Sequence, residues 1–228
     1  MFNKAMTRVA ASLIALAAAG VCSAEPVTLT FEGLQDQESI LGFYNGSAGS
    51  LGSVSAGPNN GISFAGNTLA LIDSDAGGTG NFANEPTGDT VMFFLSGAST
   101  VLNVAAGFTE SFSFFYSTRT FPGSVSLYDG VDGTGRLVGT IDLAALGTNC
   151  QGDPTGSFCN WEMASLSFAG TVRSIDFGGA ANFTAFDNIT FGNIGGTTPP
   201  GGDVPEPGSL LLAASALLAL RTASRRRA

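Results

Sequence analysis

The chain contains no histidine, and between residues 25 and 203 it contains no lysine. Without histidine no Ser-His-Asp or Cys-His nucleophile can be assembled, and no histidine-ligated zinc site can form. The basic residues left in that span are Arg119, Arg136 and Arg173, set against seventeen Asp and Glu, a balance of −14. Such a surface repels nucleic acid and anionic lipid, which excludes both as partners. It suits solubility outside a cell and attracts divalent cations. Long apolar runs are also missing. The run near the C-terminus, residues 210–220, has eleven residues, where a stable membrane span takes about 20. No fixed repeat period is present, which argues against a parallel β-helix.

The two ends are the easiest parts to read. Residues 1–24 carry Lys4 and Arg8, then an apolar core over residues 9–21, then Cys22-Ser23-Ala24. That is the pattern of a secretory signal peptide cleaved after Ala24. A lipoprotein reading would place lipid on Cys22, but Val21 is a poor residue before a lipidated cysteine. Cleavage leaves Cys150 and Cys159, which in an exported chain are expected to close one short disulfide loop.

At the other end stand Val204, Pro205, Glu206 and Pro207, then the apolar run, then Arg221, Arg225, Arg226 and Arg227. The two prolines deny helix to the entry. The apolar run favours helix, and the terminal arginines stay on the cytoplasmic side of a membrane. This tail resembles the PEP-CTERM sorting signal of exported bacterial proteins. The resemblance implies recognition and removal by the membrane protease exosortase, after passage through the secretion machinery. It also implies transient anchoring by the tail, and a destination at the cell surface or in an exopolysaccharide matrix or biofilm.

Between the ends the chain reads as short strands. Alternating or wholly apolar bursts fall at residues 27–31, 61–64, 68–72, 90–95, 100–105, 111–117, 124–128, 136–143, 161–168, 172–177 and 185–191, with a further short element in 38–44. The burst at 90–95 is apolar on both faces, as a central strand is. Gly66-Asn67 reads as a tight turn, and residues 144–147 as one helical turn. The expected architecture is an all-β, antiparallel two-sheet β-sandwich, a jelly roll by preference, over residues 25–192. Residues 193–203 form a Gly/Pro/Thr linker and residues 204–228 the sorting signal, with a short hydrophobic helix.

The middle of the chain, with Phe31-Glu32 at its opening and Phe186-Asp187-Asn188-Ile189 near its close, also resembles jelly-roll carbohydrate-binding modules. The resemblance implies that the first and last strands lie side by side and that a structural calcium sits near them. Glu32, Asp187 and Asn188 are the candidate ligands, since calcium takes six to eight oxygens. Asp73 and Asp75 form a second candidate, because side chains two apart point the same way in extended chain. No catalytic residue is assigned. The expected function is that of a non-catalytic surface or matrix protein. The alternative is a specific carbohydrate-binding module, with Trp161 and Tyr44 as the aromatic platforms.

Overall fold

A computed structural model of the protein describes residues 26–53, 55–150, 156–179 and 181–195. The signal peptide, most of the linker and the whole sorting tail lie outside the described residues. Ten strands form: β1 (Val27–Leu29), β2 (Glu38–Ser39), β3 (Ile62–Phe64), β4 (Thr68–Ile72), β5 (Thr90–Phe94), β6 (Ser99–Thr118), β7 (Gly123–Tyr128), β8 (Leu137–Leu143), β9 (Glu162–Gly178) and β10 (Thr184–Ile194). The one helical element among the described residues is a 3-10 turn at Ser74–Ala76. β10 continues to Ile194, two residues into the segment read as linker.

Every strand pairing is antiparallel. The order is β2-β4-β5-β10-β6-β9-β7-β8, with β1 also on β10 and β3 also on β6. The two layers of the sandwich share their longest strands. The sequence bursts at 100–105 and 111–117 are two halves of β6, and those at 161–168 and 172–177 are two halves of β9. Early in β6, Leu102 pairs with Ile175 of β9 and with Phe64 of β3. Late in β6, Phe112 pairs with Leu166 of β9 and with Phe191 of β10. The ladder slips between Asn103 and Glu110, where Gly107 and Glu110 take left-handed backbone (φ 79° and 78°). A break of this kind bends both strands and lets one sheet fold over on itself.

The core lies inside that fold. Phe177, late in β9, packs 6.1 Å from Phe114 of late β6 and 4.9 Å from Phe186 of β10, ring centre to ring centre. The rings meet edge to face, the arrangement that aromatic quadrupoles favour. All five residues of β5 are buried, as its apolar burst predicts. β4 lies on one side of it and β10 on the other.

Two local readings change. Gly66-Asn67 does sit in a tight turn, with the Thr68 N–H donating to the Ala65 carbonyl at 3.0 Å. The strands it joins do not form a hairpin, however: β3 pairs with β6, and β4 with β2 and β5. Residues 144–147 form no helical turn, because their amides are used elsewhere. Leu146 N–H donates to Thr118 O at 2.8 Å and Gly147 N–H to Arg119 O at 3.1 Å.

Candidate functional site

β10 presents its outer face along Ala185, Asp187 and Thr190. Phe186, Ile189 and Phe191 point into the core. Three residues of β10, from Asp187 to Thr190, advance while β6 advances two, from Phe115 to Ser113. The extra residue is Asn188, in left-handed backbone at φ 50°. Asn tolerates that conformation better than most residues do. On its other edge β10 changes partner at the same place, from β5 (Phe186 opposite Met92) to β1 (Ile189 opposite Leu29).

A change of ladder partner leaves backbone donors without carbonyl acceptors, and two acidic side chains take them. Glu32 Oε1 accepts the N–H of Thr90 at 2.9 Å and of Asp89 at 3.2 Å, and its Oε2 accepts the Thr90 hydroxyl at 3.2 Å. Asp187 Oδ2 accepts the Thr87 N–H at 3.0 Å, and Oδ1 accepts the Asn188 N–H at 2.6 Å. The Asn188 amide donates to Thr87 Oγ1 at 2.6 Å. The loop carrying Thr87 is thereby fastened over the outer face of β10. Asp187 is fully buried. Burial lifts its carboxyl to about 7, against two stabilising N–H donors, and the nearby acids Glu32 and Glu85 push the same way.

Beside this fastening a groove of about 420 Å³ opens on the outer face. Its floor is in register across three strands: Thr28 of β1, Thr190 of β10 and Ser113 of β6 lie opposite one another in turn. Thr28 and Thr190 hydroxyls are 2.9 Å apart. The next row holds Phe115 opposite Met163, and Met163 is 59 % exposed. Thr87 and Asn188 close one end. No charged residue lines it.

The residues singled out in the sequence fall elsewhere or serve differently. Tyr44 is buried and accepts the Phe31 N–H at 2.7 Å through its hydroxyl. Burial, with Asp187 and Glu32 nearby, holds that hydroxyl above the ordinary tyrosine range. It is a core tyrosine, packed edge-on against Phe31 and Phe43, and offers no face to a ligand. Trp161 is half-buried against a second apolar cluster, and its indole N–H donates to Ala83 O at 3.0 Å. It covers a core rather than flooring a groove. Asp73 caps the 3-10 turn, accepting from Asp75 N–H at 3.0 Å and from Phe82 N–H at 2.9 Å, while Asp75 is exposed. Both oxygens of Asp73 are thus engaged by backbone donors of its own turn. Glu32, Asp187 and Asn188 do share one junction, and their oxygens are hard donors of the kind calcium takes. Each carboxylate oxygen already accepts a backbone or hydroxyl donor, and among the described residues no three Asp, Glu or Cys gather around one point. Cys150 and Cys159 are bonded, with Cα atoms 5.4 Å apart. The groove itself was missed. Its signal was the Thr and Ser at alternate positions of residues 28–30 and 111–113, which mark an outer face and not a ligand.

Residues 203–227 match the PEP-CTERM protein-sorting motif. The motif marks the chain as an exported, sorted protein. No curated protein matches the chain. Among solved structures it is similar to a family 6 carbohydrate-binding module, at 15 % identity over 57 % of this chain and 84 % of that one, TM-score 0.35. It is similar also to a second such module, from Cellvibrio mixtus lichenase 5A with cellotriose bound, at 14 % identity over 55 % of this chain and 96 % of that one, TM-score 0.32. A third similar structure is a cleaved adhesin domain of Lys-gingipain from Porphyromonas gingivalis, at 10 % identity over 57 % of this chain and 93 % of that one, TM-score 0.33.

Proposed function

We propose that this is an exported, non-catalytic surface or matrix protein. Its tail holds it in the membrane until exosortase removes the tail, and its β-sandwich then associates with exopolysaccharide. The observation that carries the reading is the sorting motif at residues 203–227, close behind the last strand of a closed β domain. β1 runs antiparallel beside β10, with Val27 opposite Phe191, so the domain begins and ends at one pole and is built to hang from it. The chain's lack of histidine and the uncharged lining of the groove both favour a role without catalysis.

A structural calcium at Glu32, Asp187 and Asn188 is part of the proposal. One observation supports it: the charged groups acting on buried Asp187 are both acidic, so a cation there would add to the partial relief that the Thr87 and Asn188 N–H donors give its carboxylate. These residues would hold the ion, and its contribution would be to fix the junction between β1, β5 and β10.

The experiment is expression of the full chain in a host with an exosortase and in the same host with that protease deleted. In the first, the protein is expected to leave the membrane fraction with a shortened C-terminus, read by intact-mass spectrometry. In the second, it stays in the membrane at the higher mass, as does Glu206→Ala in the first host. A chain released unshortened from both hosts overturns the reading.

A further inference from the structure

The domain's charge is strongly one-signed, yet the groove on the outer face of β10 is lined without a single charged residue. Its floor is a register-aligned row of hydroxyls on three strands, Thr28, Thr190 and Ser113. At a strand spacing of about 4.8 Å that row is about 10 Å long. Alongside it, Phe115 and Met163 face each other across β6 and β9 as an apolar strip. Met163 is the most exposed large apolar residue among those described, at 59 %. An apolar strip beside a line of hydroxyl donors and acceptors is a neutral, amphipathic, linear surface. The end wall is pre-positioned, because Asp187 and Asn188 hold Thr87 by its N–H and its hydroxyl.

We propose that this groove is the docking site for a neutral polysaccharide chain. Sugar rings lie with their C–H faces on Met163 and Phe115, and their hydroxyls exchange hydrogen bonds with the row of Thr28, Thr190 and Ser113. The charge argument selects the occupant. An acidic polysaccharide, a nucleic acid or a second copy of this chain would each bring negative charge to a domain that already carries a balance of −14 between residues 25 and 203. A neutral glycan brings none. The inference rests on the proposed association with exopolysaccharide and names the surface and the ligand class.

The test is affinity electrophoresis of the exported, processed protein through gels containing a soluble neutral glucan or a soluble polyuronate, with light scattering of the same samples. Retardation by the neutral glucan is expected. Met163→Asp should weaken it at least about tenfold. Met163→Leu should keep it, and Val131→Ala, at an exposed apolar residue away from the groove, should leave it unchanged. Retardation that survives Met163→Asp overturns the groove and leaves the association standing. Retardation by the polyuronate alone overturns the neutral ligand. Retardation by neither overturns the groove and the association together. A dimer that Met163→Asp dissolves would identify this face as a self-interface and overturn the proposal.

Discussion

Ala185 and Thr190 stand on the same outer face of the same strand, yet one is covered and the other open. Over Ala185 the chain lays Phe82 and Phe158, which pack with Phe93 at ring-centre distances of 5.5–5.9 Å. Over Thr190 no loop of the described residues brings an aromatic anchor, and the face there is threonine and serine beside Phe115 and Met163. The difference is made by loops. Residues 81–84 and 156–161 each bring an aromatic anchor, and the anchor finds apolar positions already waiting at Leu71, Val91 and Phe93. Where the strands offer hydroxyls instead, a covering loop would gain no burial, and the face stays available. The covered part is therefore a second small core, and the open part a surface whose composition matters only to what binds it.

Breaking the covered part should cost most. Phe93→Ala removes the ring that both anchors touch, and deletion of a buried phenylalanine costs about 3–5 kcal/mol. The measurement is the denaturant midpoint at unchanged slope. A loss below about 1 kcal/mol would mean that the loops lie on the sheet without packing into it.

The boundary between the two parts is Asp187, and its effect depends on pH. Its carboxyl stands at about 7 in the folded protein against an ordinary 3.8. The folded state therefore keeps a proton that the unfolded chain releases between those values. The group's contribution to stability is fully present below about pH 4 and is lost as pH rises through about 7, after which it is flat. A shift of that size is worth about 4 kcal/mol. Asp187→Asn should flatten the corresponding part of the melting curve between those limits, with Glu32, Glu85 and Tyr44 left in place as the groups that face it. Millimolar calcium sharpens the point: at pH 8 it should raise the melting temperature of the wild type and not of Asp187→Asn. No rise would remove calcium from the junction while leaving the proton linkage intact. A wild-type profile with no fall between pH 4 and 8 relative to Asp187→Asn would remove the linkage itself.

The sequence carries the fold further than the site. Apolar bursts separated by Gly, Asn and Ser place nearly every strand, because a period of two with one buried face is a local property. The continuity of β6 and β9 is not local. Gly107 and Gly170 look like turn residues between separate strands, and only the partners of each half reveal a bend within one strand. Glu32 and Asp187 are legible as a pair, since first and last strands adjoin, but their work of receiving N–H groups at a change of ladder partner depends on β5 ending its pairing where β1 begins. Tyr44 and Trp161 mislead for one reason. Loop position suggests exposure, whereas an aromatic in a loop is often the anchor that holds the loop down.

The disulfide offers the gentlest way to separate the covered part from the open one. It closes the loop of residues 150–159, and Phe158 and Trp161 sit at its exit. Closing a loop of ten residues stabilises by about 2.5 kcal/mol through the entropy of the unfolded chain. The double substitution Cys150→Ser with Cys159→Ser should cost about that much, less than opening the small core itself, because Phe158 still has Phe82 and Phe93 to pack on. Trp161 is the chain's one tryptophan, so its fluorescence reports this region alone. Its emission should move to the red below the global unfolding midpoint, as the 156–161 segment lifts first, while glucan retardation through the groove stays as it was. If emission and global unfolding coincide in the double variant, the cover and the sandwich are one cooperative unit. The two parts of the outer face would then differ in composition but not in stability.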